Sequence, residues 1–506
     1  MRQWFSKVYQ VVCWALWGAA LLALPITSFP WLSDRLGGTS VAAPSAFLFL
    51  ILALVWLLPF VLRGGQLPRE SAPLLIFLSA ALISWAAAFF ANVPTFRGRG
   101  PLSEGLEICA TVSLGMASFF VPAVWVMKGG KRLLWTVRFI NLGGIALLAW
   151  SLVQAGVVIF KDGDYPQALI EFQWLFSMRS GGPLFANRLT GFAYEPSWLG
   201  HQLNLIYLPI WFAATVSRWS AYRWRCLGIT LENILFLVGG GVLFLSVSRL
   251  GWASFLLVLT CASLLGLARW VDTLWKRMRP QSGRTSRVIL AVCVVLASLV
   301  IYPCVGWGLL QVGARFETRL ARIMSRNILE ANNLYEVFNN LEFAERVMYW
   351  DAGLRTYADH WFLGTGLGNS GFYFSQNVYS FGLMLPEVAN LLNRFDYIPN
   401  TKSLWVRVLT ETGLLGFAFF LAWYYALGMA GITAWRSREG MLQSIGLAGL
   451  FALLAFLLEG FSMDSFALPY FWLEAGLLAG VGAAARRLST IDVQASPSSS
   501  AQFVDG

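Results

Sequence analysis

Ile234-Leu-Phe-Leu-Val-Gly-Gly-Gly-Val-Leu-Phe-Leu-Ser-Val-Ser-Arg-Leu-Gly-Trp-Ala-Ser-Phe-Leu-Leu-Val-Leu-Thr260 carries a single charge, Arg249, between two apolar runs. A helix that crosses a bilayer needs about 20 mostly apolar residues. Extended to 230–248 and 251–270, the two runs each supply that length, and Ser248–Gly251 is the tight turn between them. Working outward, the same signal recurs at 9–29, 42–62, 71–91, 106–127, 134–160, 197–216, 288–310, 410–434, 443–462 and 465–485. The expected fold is an all-α integral membrane protein of about twelve transmembrane helices.

Composition agrees. The chain of 506 residues is 57% hydrophobic and 12% charged, with a mean hydropathy of +0.62. Soluble domains average about 25% charged residues, and a lipid solvent explains the apolar surplus. The net charge of +11, from 37 Lys and Arg against 26 Asp and Glu, raises the question of nucleic acid. The basic residues instead cluster between spans, as the positive-inside rule requires, and no basic-aromatic patch accompanies them. With a cytoplasmic N-terminus, the inside connections carry Arg63 and Arg69; Lys128, Lys131 and Arg132; Arg218, Arg223 and Arg225; Lys276, Arg277, Arg279, Arg284 and Arg287; Arg436 and Arg438; and Arg486 and Arg487. The reverse orientation translocates every cluster, so both ends are expected inside. The first apolar run is long and followed by others, and reads as an uncleaved helix.

The domains follow. A bundle of about nine helices spans 1–310, with an external segment near 161–196. A large external loop spans 311–402. The C-terminal spans occupy 403–487, and 488–506 is a disordered cytoplasmic tail, Ser/Pro-rich from Ser496. The loop is too long for a bare connector. In Arg315–Tyr357 apolar residues recur at helical spacing, as Phe343, Val347, Trp350, Leu354 and Tyr357, so one or two amphipathic helices are expected over the membrane face. The six cysteines lie in or beside apolar segments, with neither a disulfide framework nor a metal-binding spacing. No internal repeat is visible.

Two arginines stand out on the expected external face. Arg188 sits in Asn187-Arg-Leu-Thr-Gly-Phe-Ala-Tyr-Glu-Pro-Ser197 with Tyr194 and Glu195, and Arg249 sits in the tight turn. A guanidinium at membrane depth is costly unless paired. One alone reads as snorkelling or a salt bridge; two beside a carboxylate point to an anion site, since arginine forks suit phosphate oxygens. The loop adds Glu345-Arg-Val-Met-Tyr-Trp350 and Asp359-His-Trp-Phe-Leu-Gly-Thr-Gly-Leu-Gly368. Gly366, Gly368 and Gly371 match a dinucleotide fingerprint in form only, because no strand-helix-strand unit surrounds them. Close backbone approach is the reading they support. His360, beside Asp359, is a candidate general base or an exposed loop histidine. His201 reads as a packed helix residue. Glu411 opens a span, where an acidic side chain caps a helix. Glu459 and Asp464 flank the last external turn and are expected to be solvated.

These residues resemble the O-antigen ligase and polymerase superfamily of polytopic glycan-transfer enzymes. The resemblance rests on Arg188-Leu-Thr-Gly-Phe-Ala-Tyr-Glu-Pro-Ser197, Ser248-Arg-Leu-Gly251, Arg346 with Trp350 and Gly364-Thr-Gly-Leu-Gly-Asn369, and Leu409-Thr-Glu-Thr-Gly-Leu-Leu-Gly416, in order over roughly 185–420. It implies a multi-pass protein of the bacterial inner membrane with its large loop in the periplasm. The implied donor is an undecaprenyl-diphosphate-linked oligosaccharide. An acceptor glycan hydroxyl attacks the anomeric carbon and the lipid diphosphate leaves. Arg188 and Arg249 supply positive charge to that leaving group without a metal; Glu195 or His360 takes the proton. Tyr194, Arg346, Lys402 and Glu411 are the expected substrate-binding residues. No cofactor and no metal is implied.

One departure bears on the product. The ligases look as though they carry a histidine just before the final L-x-x-x-G-L-x-G helix, and the matching residue here is Lys402. Lysine is a poor base at its usual pKa. That favours a polysaccharide polymerase, working in O-antigen, capsule or exopolysaccharide synthesis, with a chain-length regulator as a further partner. The alternatives are an O-antigen ligase or protein O-oligosaccharyltransferase and, from another class, a lipid-linked oligosaccharide flippase. A flippase should carry charges along a path through the spans; here they gather at external helix ends.

Overall fold

The computed structural model describes residues 2–178, 182–278, 284–315, 318–325, 334–340, 343–393 and 398–495. Among them every regular element is a helix, and only isolated bridges, such as Phe185 with Arg188, relieve the pattern. Among the described residues seven helices are long and apolar enough to cross a membrane: Pro44–Leu62, Ser71–Ala88, Pro101–Val126, Gly130–Phe160, Arg249–Leu267, Leu404–Trp435 and Gly440–Glu459. The chain is a multi-pass helical membrane protein. The other expected spans are also helical, although Lys7–Leu22 and Leu231–Leu245 are shorter than a full crossing.

Several boundaries differ from the sequence reading. The first helix ends at Leu22, not near residue 29, because Pro25 and Pro30 turn the chain into a short second helix, Pro30–Arg35. The last helix runs to Ala495, so 488–495 is helical rather than tail; no Pro or Gly lies between Leu488 and Pro497 to stop it. Residues 496–506 lie outside the described residues, as do parts of the stretch Arg315–Tyr357.

Neighbouring helices in lipid gain no hydrophobic drive from meeting each other, so close packing and buried polar ties hold them. The core is aromatic. Trp17 stacks on Trp125 with centroids 5.1 Å apart, and its indole donates to Thr136 at 3.2 Å. Trp423 stacks on Trp472 at 5.5 Å, and Phe456 on Phe471 at 3.6 Å.

Hydrogen bonds sort the connections onto two ends. At one end Glu70 pairs with Arg486 at 2.7 Å, and Arg138 donates to Ala221 O at 3.1 Å. This end gathers connections that the charge pattern assigns to one side. At the other, Tyr194 N donates to Thr27 Oγ1 at 2.8 Å, Ser84 meets Leu363, and Leu404 N donates to Gly460 O at 2.8 Å. This second end carries the large loop.

The loop has a core of its own. Met348, Tyr349 and Ala352 from the helix Ala344–Asp359 pack with Phe374, Val388 and Leu391. On the other side Gly353 lies against Thr401, Val406 and Thr410. The stripe chosen from sequence is therefore not the buried face: Leu354 is 45% exposed. A helix clasped from two sides shows no single apolar stripe.

Candidate active site at the loop-bearing end

Three residues, Ser246, Val247 and Ser248, separate the helix ending at Leu245 from the helix beginning at Arg249. Val247 adopts φ 50°, a left-handed conformation that a β-branched residue adopts only under constraint. Arg188 supplies one. Its Nε donates to Ser246 O at 3.1 Å and its Nη2 to Val247 O at 3.3 Å, while Leu189 N donates to Leu245 O at 3.1 Å. These are carbonyls that the end of a helix leaves without partners. Arg188 is thus fastened to the turn from which Arg249 springs, although 61 positions separate the two in sequence.

Glu195 is extended and leads into the helix Pro196–Gln202. Its carboxylate accepts from the Ser197 hydroxyl at 3.2 Å. Tyr194 packs against Trp198 with the rings tilted and their centroids 5.4 Å apart. One turn later Gly200 passes against Ser248 of the arginine turn.

Beneath this surface lies a buried polar node. His201 Nδ1 is 2.6 Å from Glu459 Oε2, and Asn204 Nδ2 reaches Glu459 Oε1 at 2.5 Å and Gly251 O at 2.8 Å. His201 and Glu459 are 1% and 0% exposed. The expectation of a solvated Glu459 is overturned: a carboxylate withdrawn from water needs partners, and His201 and Asn204 on one neighbouring span supply them. His201 was expected to pack within its helix, and it does, but as a polar tie. Two ionisable residues at the ends of expected spans were the available signal.

The node continues to the far side of the site. Gly460, next to Glu459, accepts from Leu404 N at 2.8 Å and from Ser403 Oγ at 3.2 Å. Lys402 precedes Ser403 in a left-handed conformation, φ 51°, with its backbone N–H on Asn400 Oδ1 at 3.0 Å. Its ammonium has no partner among the described residues. Phe461 packs on Trp350 of the loop helix at 5.2 Å. Arg346 lies one turn before Trp350 on the same helix face, half-buried and without a side-chain partner among the described residues.

Glu411 and His360 sit elsewhere. The helix Leu404–Trp435 is capped by Ser403, not by Glu411, and is broken at Gly413, φ 63° and ψ −170°. Into the break fits the Gly-rich loop: Thr365 N donates to Thr410 O and Gly366 N to Glu411 O, each at 3.0 Å, and Leu414 N donates to Trp361 O at 2.8 Å. Glu411, 1% exposed, closes the clasp. It accepts from Gly368 N at 2.9 Å, Ser370 Oγ at 2.8 Å and Arg407 Nε at 3.1 Å. The expected helix cap is therefore a loop anchor. The glycines serve close approach, since a Cβ at Gly364 would lie 2.5 Å from Gly413 N.

His360 follows the C-terminus of the loop helix, roughly 21 Å along the axis from Arg346 at the usual rise per residue. Its Nδ1 is 3.0 Å from Thr356 O. A carbonyl only accepts, so the proton sits on Nδ1 and Nε2 is left to act as a base. Its ring lies 4.8 Å from that of Tyr373, whose hydroxyl burial pushes above the usual tyrosine pKa.

The geometry therefore gathers Arg188, Tyr194, Glu195 and Arg249 on one side of the buried node, and Lys402 and Arg346 on the other. It sets His360 and Glu411 around the helix break. Four basic side chains around one node suit an anionic substrate. Among the described residues no three His, Cys, Asp or Glu side chains come together as metal ligands.

No curated protein matches this chain. Residues 234–421 match the model of a family described as O-antigen ligase. That span runs from the helix before the arginine turn, through the loop, to beyond the break at Gly413. The match covers somewhat more than a third of the chain; over that region the chain is similar to the O-antigen ligase family, which supports glycan transfer of the ligase and polymerase type.

Proposed function

We propose that this protein polymerises undecaprenyl-diphosphate-linked glycan repeat units at the periplasmic face of a bacterial inner membrane, with both termini in the cytoplasm. The observation that carries the reading is the attachment of Arg188 to the turn that launches Arg249, beside Glu195. Two guanidinium groups held at one turn are preorganised for a diphosphate, which gains charge as its bond to the sugar breaks. The acceptor hydroxyl attacks the anomeric carbon, the carbon–oxygen bond to the diphosphate breaks, and the hydroxyl proton passes to Glu195. That carboxylate precedes the helix Pro196–Gln202 and meets the Ser197 hydroxyl at 3.2 Å. His360, with Nε2 available, is the second candidate for the proton. Tyr194, Arg346 and Lys402 bind the glycan-diphosphate, and Glu411 holds the Gly-rich loop in register. The reaction runs without a metal.

The test is transfer by purified protein in lipid nanodiscs, given an undecaprenyl-diphosphate-linked repeat unit as both donor and acceptor, with and without EDTA. A ladder of products in both conditions is expected. Loss of product in EDTA with recovery in magnesium refutes the metal-free step. Transfer only to a lipid A core acceptor identifies a ligase, the second reading, which the description of the matched family favours.

A further inference from the structure

A cavity of about 240 Å³ opens at the end of the bundle opposite the loop, between Leu67, Arg69, Met127, Ala483, Arg486 and Arg487. Its charge is organised from within. Glu70, 2% exposed, holds Arg486 through Nη1 at 2.7 Å and Nη2 at 2.9 Å, and touches Arg69 Nε at 3.4 Å. The contact of Arg487 is a weak one to Met127 Sδ at 3.7 Å. Two guanidinium groups thus share one carboxylate beside a third, Arg487, and the cluster of three arginines and one glutamate keeps positive charge to spare. Arg69 and Arg487 are exposed and Arg486 is half-buried, and the three line one shallow concavity in which the buried Glu70 positions Arg486.

The cavity sits at a boundary. The apolar helix Ser71–Ala88 starts immediately after Glu70, and Pro101–Val126 ends immediately before Met127. Leu67, Met127 and Ala483 therefore form the apolar part of the cavity wall at the level where the spans end, beside the arginines. A basic pocket between helices at this depth matches a lipid phosphate with its acyl chains leaving along the apolar wall. A free inorganic ion has no use for that wall.

We propose that this cavity binds the phosphate headgroup of an anionic phospholipid in the leaflet at this end, and that the lipid latches the first turn of Ser71–Ala88 to the last helix. The inference is independent of the chemistry at the loop-bearing end. Arg69→Gln with Arg487→Gln tests it, because the pair Glu70–Arg486 stays intact. Full-length protein is placed in nanodiscs of phosphatidylglycerol or of phosphatidylcholine, and lipid adducts are followed by native mass spectrometry and thermal unfolding. A basic residue near the surface is worth about 1 kcal/mol, or about fivefold, so the double variant should hold phosphatidylglycerol about 25-fold more weakly. Wild type should unfold at a higher temperature in phosphatidylglycerol than in phosphatidylcholine, and the variant should lose most of that difference. Equal stability of wild type in the two lipids overturns the proposal. So does an equal gain from millimolar inorganic phosphate, which makes the cavity a free-anion site. If the double variant unfolds earlier even in phosphatidylcholine, the wild-type comparison and Arg487→Gln alone decide.

Discussion

His201 Nδ1 lies 2.6 Å from Glu459 Oε2 with both side chains closed to solvent. The two residues are 258 positions apart. One belongs to the helix that follows Glu195, and the other immediately precedes Gly460, on which Ser403 and Leu404 rest. The pair is therefore the joint between the arginine side and the lysine side of the candidate site. Its geometry explains how residues from distant spans hold one arrangement.

Breaking that joint from one side should be severe. His201→Ala leaves a buried carboxylate without one of its two short contacts, and removing one partner of a buried pair costs about 3–5 kcal/mol. Glu459→Gln should cost much less, because an amide can still face both His201 and Asn204. Thermal unfolding of detergent-extracted protein measures both. An unchanged midpoint for His201→Ala would show that the pair holds nothing together.

A second weak point is Gly413. At φ 63° a side chain is strained, and its Cβ would lie 2.2 Å from Phe362 O. Gly413→Ala must shift either the broken helix or the loop seated in it. Incompatible left-handed positions cost more than about 1 kcal/mol when alanine replaces glycine. We expect a lower melting temperature and faster proteolysis between Trp361 and Asn369. Cleavage at the wild-type rate would mean that the loop does not depend on the break.

The spans were readable because lipid demands one property, apolar length, and Ile234–Thr260 shows it twice in a single stretch. Arg188, Glu195 and Arg249 were singled out because charge near apolar runs is conspicuous. The node of His201, Glu459 and Asn204 was not readable, since its partners come from separate helices and nothing local pairs them. Glu411 was misread for a related reason. An acidic residue near a helix start looks like a cap, and only the loop folding back into the Gly413 break reveals what its oxygens hold. The local π-helical stretches 53–57 and 203–207 each run into a proline, Pro59 and Pro209, whose missing N–H leaves a carbonyl of the stretch without its usual helical donor.

Tyr165 should give the protein an alkaline limb. Burial without a hydrogen-bond partner for its hydroxyl pushes its pKa from 10.0 to about 12. A raised folded-state pKa means that the stabilisation is complete below the unfolded value near 10 and is lost as pH rises towards 12. Tyr165→Phe removes the titrating group and leaves the ring. Its melting temperature should match or exceed wild type at pH 7 and fall less between pH 10 and pH 12. Parallel curves for the two proteins would exclude this hydroxyl as a cause.

Reporter fusions address orientation. Those near residues 130, 222, 280 and 437 should read cytoplasmic, and those near 175 and 340 external, following the basic connections. The pairing of Glu70 with Arg486 already requires that 63–70 and 486–487 share one side. An external signal at 280 would reverse the orientation and remove the argument for a periplasmic site.

Arg188→Ala and Arg249→Ala should each abolish transfer, and the structure separates what each loses. Oxyanion donors in such sites are worth roughly 2.7–4 kcal/mol, on the order of a hundredfold or more in rate. Arg188 also ties Ser246 and Val247, so Arg188→Ala should cost stability as well as activity. Arg249 opens its helix, and its replacement should spare the turn more. Lysine at either position should rescue only in part, because a point charge lacks the bidentate fork. At 188 it can hold one carbonyl but not two in the geometry of the guanidinium. Transfer normalised to monodisperse, folded protein separates the two losses. If both arginines clamp the diphosphate, specific activity falls in both alanine variants while the unfolding temperature falls mainly in Arg188→Ala. Near-normal specific activity in either variant would sink the clamp and leave that arginine a brace for the turn.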